Sequence, residues 1–347
     1  MLIYWMLFAY FAAGTLFSQV KLGAPPSPRP MLGLGAFVVA VLIGFRYQVG
    51  ADWITYKFIF QRAGSSDLFD VLGLGDPAYQ GLNWLVQQAG LEIWLVNAVC
   101  ALIFTWGLFR FCLIQPVPWA AALLAIPYTV IVISMGYTRQ GVALGILMAG
   151  LASFSRNGSP MRFAAYVFAA ALFHRSAVVA FPLVALATDR NRAMNLLLAI
   201  AVSIALYDFF LGDALDDYVE NYIKTRYSSQ GAAIRLAMNM VAAGALWLFG
   251  SRLRFGEVER RLWRNFAIAS VLLVGLLIVL PSSTAVDRMS VYVIPLQIAV
   301  LARLPVSFRT RLPAVTAIII YCFAVQFVWL NFAQHSKYWV PYQLYPL

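Results

Sequence analysis

Long apolar runs, interrupted at short polar intervals, set the organisation of this chain. They fall at roughly 2–19, 31–45, 92–112, 117–134, 138–154, 161–174, 176–188, 193–211, 232–250, 265–280, 289–302 and 312–332. A helix needs about 20 apolar residues to cross a hydrocarbon core of about 30 Å, so the pattern predicts about twelve crossings or partial crossings. Between the second and third runs lies a polar stretch, 57–91, that opens on turn residues: Ser65-Ser66, Gly73, Gly75 and Asp76-Pro77. It continues A-Y-Q-G-L-N-W-L-V-Q-Q-A-G, an amphipathic helix with Leu82, Leu85 and Val86 on one face, expected to lie in the outer interface over the bundle.

Composition fixes the class. The 347 residues are 62% hydrophobic and 11% charged, with a mean hydropathy of +0.78. The fold class is therefore all-α, a polytopic membrane bundle forming one domain over 1–347. The first residues, MLIYWMLFAYFAAGTLF, lack a basic n-region and read as a retained span. Cys100, Cys112 and Cys322 sit inside apolar runs without metal-ligand spacing, so neither a disulfide nor a metal site is expected.

The net charge of +11 suggests nucleic acid only until its distribution is considered. Most of the 25 Lys and Arg fall between runs on one side, including Arg110, Arg156, Arg162, the cluster Arg252–Arg264, Arg303, Arg309 and Arg311. The positive-inside rule makes that side cytoplasmic and no nucleic-acid partner is expected. Both termini and the loops at about 46–91 and 212–231 then face outward. Asp213–Gln230 mixes both charge signs with tyrosines and reads as a solvated cap.

One stretch tests this topology. Met161–Ala187 as a single span of about 27 residues would place Arg252–Arg264 outside, against the rule. Two half-spans meeting at His174–Arg175 keep the parity. Each is about 12–14 residues, or roughly 20 Å, so their junction lies below the outer surface and lines a polar cavity.

Four outward positions then stand together: Arg46 with Asp52, Arg139-Gln140, His174-Arg175, and Asp287-Arg288 with Tyr292 one turn later. Basic residues are scarce on that side, and four Arg at helix mouths ask for an anionic partner. Diphosphate fits, since guanidinium offers paired donors and keeps its charge in a low dielectric. Asp52 and Asp287 can alternatively neutralise two of the Arg as structural pairs, and Arg46 can be an interfacial anchor. Of the two histidines, His174 suits acid–base work better than His335. GxSxG, HExxH, Walker A, GxGxxG and DxD-type patterns are missing where each would be needed, which argues against a hydrolase, a zinc protease, an ATPase and a metal-dependent transferase.

The pieces F-R-Y-Q-V-G-A-D-W-I-T-Y, D-P-A-Y-Q-G-L-N-W-L, Y-T-R-Q-G-V-A-L, F-H-R-S-A-V-V, D-R-M-S-V-Y and W-V-P-Y together resemble the EpsG family, Wzy-like polymerases of bacterial exopolysaccharide and O-antigen synthesis. The resemblance implies a multi-pass inner-membrane glycosyltransferase, free of cofactor and metal, acting at the periplasmic face on undecaprenyl-diphosphate-linked oligosaccharide as donor and acceptor. A chain-length regulator and a flippase are the implied protein partners. Arg46, Arg139, Arg175 and Arg288 would clamp the diphosphate, and His174 or Asp52 would take the proton of the attacking hydroxyl. Gln140 stands beside this set. Tyr47, Trp53, Tyr292 and Tyr342 would stack on sugars or hold the first isoprenes. An O-antigen-ligase-like transferase or a lipid-linked-sugar flippase remains the alternative, although a flippase should spread polar residues through the midplane.

Overall fold

The structure, a computed structural model, describes residues 1–20, 29–188, 231–280 and 283–345, with the isolated positions 197, 200, 201 and 204. The expected cap Asp213–Gln230 and most of the run 193–211 lie outside the described residues.

Two glycines set the closest crossing in the bundle. Helix α6 (Ile93–Cys112) and helix α8 (Thr138–Asn157) approach so nearly that a Cβ on Gly107 would sit 1.9 Å from the Gly145 carbonyl oxygen. A Cβ on Gly145 would lie 2.6 Å from Phe104 Cα. Small residues allow backbones this close, and dispersion across the contact holds helices where lipid removes any hydrophobic drive. Gly145→Val should therefore lower the thermal midpoint of the purified protein, at a cost of about 1–3 kcal/mol or more. An unchanged midpoint would mean that the crossing is looser than described.

Helix α8 is buried along nearly its whole length and packs most closely on α6. Helices α1 (Leu2–Val20) and α2 (Arg29–Gly44) come first, followed by the outer elements α3 (Trp53–Gly64), α4 (Leu68–Gly73) and α5 (Pro77–Gln88). Helix α7 (Pro118–Ala125) runs on into a π-helical stretch, Ile126–Ser134, all of it buried. Such wide turns recur at functional sites. Helix α8 ends at Gly158, whose φ of 62° closes the last turn, and α9 (Pro160–Ala171) starts at once with Ser159 as its cap and Pro160 at its head.

The Met161–Ala187 stretch is broken. Helix α9 stops at Ala171, and the amides of Phe173 and His174 both donate to the Ala170 carbonyl. A 3₁₀ turn, Arg175–Val179, then leads into α10 (Ala180–Ala185), which packs back on α9. The remaining elements are α11 (Ala232–Phe249), α12 (Glu257–Val279), α13 (Ser283–Val291), α14 (Pro295–Leu301), α15 (Leu304–Ser307) and α16 (Leu312–Phe332).

Among the described residues, four helices (α6, α11, α12 and α16) are long and apolar enough to cross a membrane, and the bent series from α13 to α15 makes a fifth. The chain is a multi-pass membrane protein. The expected twelve crossings or partial crossings are not shown: Leu2–Ser18, Pro30–Gly44, Pro118–Ser134 and Arg175–Ala185 are apolar but each shorter than a full span, and most of the run 193–211 lies outside the described residues.

Helix α5 is amphipathic, but its inner face differs from the expected one. Tyr79, Gln80, Asn83 and Val86 are buried, whereas Leu85 is 59% exposed. The reason is its setting: α5 packs on α3, α4 and α6, which present backbone acceptors as well as apolar surface. Gln87 donates to the Phe60 carbonyl and Trp84 to that of Ser66.

At the opposite end, Ser18, Leu32, Leu113, Pro118, Arg156, Val306 and Arg311 surround a cavity of about 790 Å³. The same end holds the ion pair Arg303–Glu259 at 3.1 Å.

Candidate functional site

Asp76 is the hub that ties the outer helices to the half-span turn. It occupies the N-cap position of α5, before Pro77, where a carboxylate ordinarily accepts the first amides of its helix. Its side chain makes no capping bond. One oxygen meets Arg139 Nη1 at 2.7 Å, and the other accepts the Arg175 backbone amide at 3.2 Å. The Ala78 amide donates to the Leu172 carbonyl at 2.9 Å, so the start of α5 is fastened to the chain on either side of His174. Arg139 also lies over the rings of Tyr56 and Tyr79, at 5.9 and 6.0 Å.

His174 sits at the turn itself, half-buried. Ser176 Oγ lies 2.7 Å and Tyr292 Oη 3.0 Å from its Nδ1, and Ser176 Oγ donates to Tyr292 Oη at 3.3 Å. Tyr292 comes from the residues just after α13 and is buried, so two separate elements grip one ring nitrogen. Nε2 makes no hydrogen bond to any described residue. Burial, together with the charges of Arg139, Arg288 and Arg175, holds the imidazole well below its usual pKa of 6.5, and hence neutral.

Asp52, in the loop before α3, is the second carboxyl of the cluster. Burial lifts its pKa above the usual range, and the nearby Arg288, Arg139 and His335 oppose that rise. Gln140 is buried and donates to the Arg288 carbonyl at 2.8 Å, joining α8 to α13. It is a tether between those helices.

The structure does not bring every expected residue to this cluster. Arg46 is 1% exposed, and its guanidinium donates to the Ile43 carbonyl, Asn97 Oδ1 and Thr138 Oγ1. It therefore pins the end of α2 to the first turns of α6 and α8 and is buried instead of joining the cluster. Tyr342 donates to the Leu42 carbonyl at 2.7 Å and packs edge-on against Tyr4. Tyr47 packs between Trp53 and Tyr345. Trp53 is buried.

These contacts arise because the C-terminal segment returns over the loop after α2. The Tyr47 amide donates to the Gln343 carbonyl and that of Tyr345 to Phe45. Trp339, fully buried, anchors the return by donating to the Ile131 carbonyl inside the π-helical stretch.

Two residues outside the site set expected from the sequence complete the site. Asp76 carried a signal only as part of a turn, Asp76-Pro77, before an amphipathic run, and nothing local showed where its carboxylate would point. Arg235, on α11, is buried and holds Asp287 at 2.8 Å and Tyr128 Oη at 2.7 Å. Its position four residues into an apolar run resembles an ordinary span entrance. Asp287 is thus paired with Arg235, and Tyr137 lies in the field of Arg235, Asp52 and Asp287. Among the described residues, the cluster sets four guanidinium groups (Arg139, Arg175, Arg235, Arg288) against three carboxyls, a smaller excess than four clamping arginines would give.

A model of the EpsG family matches residues 32–344, which take in all of these groups. Neither the curated proteins nor the solved structures contain a match to this chain.

Proposed function

We propose, from the premise that this chain belongs to the EpsG family, a family associated with exopolysaccharide synthesis, that it is a polysaccharide polymerase. It transfers a growing glycan from undecaprenyl diphosphate onto the next lipid-linked oligosaccharide. The observation that carries the reading is His174, gripped at Nδ1 by Ser176 and Tyr292, with Nε2 making no hydrogen bond to a described residue, in the field of Arg139, Arg288 and Arg175. A positioned base beside fixed cations is what a sugar hydroxyl attacking a diphosphate-linked anomeric carbon requires.

In the step proposed, the acceptor hydroxyl gives its proton to His174 Nε2 as its oxygen bonds to the anomeric carbon. The bond from that carbon to the diphosphate oxygen breaks, and polyprenyl diphosphate departs with the electron pair. A neutral imidazole has one donor and one acceptor nitrogen. The tautomer with Nδ1–H donating to Ser176 leaves Nε2 as the acceptor, and Tyr292 fixes the ring.

Arg175, whose guanidinium makes no hydrogen bond to a described residue, and Arg288 receive the leaving diphosphate. Arg139 acts from its pair with Asp76. Asp52 lies in the field of Arg288 and Arg139 and balances their charge when the site is empty. By the positive-inside rule, the end holding Arg156, Arg303 and Arg311 is cytoplasmic and the His174 end opens outward to the periplasm of the bacterial inner membrane.

Purified protein in detergent, given a polyprenyl-diphosphate-linked repeat unit, should produce a ladder of glycans. A ligase would need a different acceptor to yield product. A protein shown to be folded and to bind the donor, yet forming neither ladder nor single transfer, would contradict the reading.

A further inference from the structure

Beside the cluster, an apolar groove of about 480 Å³ runs between α11 and α16. One wall is a stripe of α16: Tyr321, Ala324, Val325, Val328 and Phe332 recur at helical spacing over three turns, about 16 Å. Ile234 of α11 faces it. Val328 is 42% and Phe332 71% exposed, so the groove stands open along its side.

Its two polar limits belong to the charged cluster. Tyr128 lines the groove and holds Arg235, which in turn holds Asp287. His335 lines the other limit and acts on Asp52. An apolar trough that runs into a field of guanidinium groups matches a molecule with a long hydrocarbon chain on one side and phosphate on the other.

We propose that this groove seats the isoprenoid chain of the polyprenyl diphosphate, with the chain lying along α16 and the diphosphate delivered to Arg175, Arg139 and Arg288. The inference rests on the functional reading above and adds where the lipid lies. Chain length becomes part of recognition, because a chain too short to enter the trough loses apolar burial worth about 25 cal/mol per Å².

The test is a photo-crosslinking and binding experiment on the full chain in nanodiscs. Its probes are a long-chain polyprenyl diphosphate without sugar, bearing a diazirine on the chain, and a short prenyl diphosphate. The proposal expects adducts on Ala324, Val328 or Ile234, and binding of the long chain at least tenfold tighter than of the short one. Ala324→Trp and Val328→Asp, both at exposed positions, should each weaken long-chain binding at least tenfold and leave the short probe unaffected. Ile320→Trp, on the same helix but outside the groove, should change neither.

Equal binding of both chain lengths, with glycan transfer intact, would overturn the groove and leave the functional reading standing. Failure of both diphosphates to bind would overturn both. A phospholipid photoprobe that labels the groove and is not displaced by the polyprenyl diphosphate would show annular lipid there, and would also overturn the proposal.

Discussion

Replacing His174 with Ala is expected to cut glycan transfer by about 10²–10⁴-fold, the usual contribution of a positioned base, while donor binding stays within a factor of about two. In the proposed step the loss falls on turnover, because Nε2 would meet the acceptor hydroxyl while other groups would hold the diphosphate. Since burial and three nearby Arg depress the His174 pKa, the imidazole stays neutral as pH falls through 6.5. Transfer should therefore show no loss near pH 6.5 and decline only at clearly lower pH. Any stability linked to the neutral form is lost in the same direction, as pH drops toward the depressed value.

Tyr292→Phe and Ser176→Ala remove the groups that hold Nδ1, so each should lower turnover by less than H174A and alter the pH profile. If H174A keeps full turnover, His174 is not the base, and Asp52 becomes the group to test.

Asp76→Ala is expected to have the second large effect, and of a different kind. Removing one partner of this partly buried ion pair leaves Arg139 uncompensated and strips the Arg175 amide of its acceptor. The cost approaches the roughly 3–5 kcal/mol of a fully buried pair, and the turn carrying His174 keeps only the Ala78–Leu172 backbone bond to α5. Thermal stability and transfer should fall together. Asp76→Asn keeps an acceptor for the amide and should recover part of the stability, and the coupling to Arg139 can be read from a double-mutant cycle. An Asp76→Ala protein with wild-type stability and turnover would remove Asp76 from the hub.

Much of this was legible in the sequence, for identifiable physical reasons. Apolar run length and Arg placement reveal a multi-pass helical protein, because the bilayer imposes both. The break at His174–Arg175 was readable for the same reason, since an ionisable pair in an apolar stretch is costly without a polar lining. Arg139, Arg175, Arg288, His174 and Asp52 come together as their places at helix mouths suggested.

Hidden from the sequence was the partnership of each charge. Arg46 looked like its fellow arginines, yet Asn97 and Thr138, neutral residues far along the chain, hold it inside. Asp287 sits next to Arg288 but pairs with Arg235, because side chains one residue apart on a helix point in different directions. The fate of Tyr342 depended on a C-terminal return anchored by Trp339, a long-range contact with no local signature. The inner face of α5 followed the surfaces it meets more than its most apolar side chains.

The measurement that tests the central claim most directly is the stoichiometry of a single turnover. Purified protein is given one lipid-linked donor and one lipid-linked acceptor, and both the new glycosidic bond and the freed lipid are counted. One polyprenyl diphosphate released for each bond formed, with both lost in H174A, is the result this account predicts. Saccharide that reaches the far side of a sealed vesicle still attached to its lipid, with no diphosphate freed, would mean that the protein is a transporter and would contradict it.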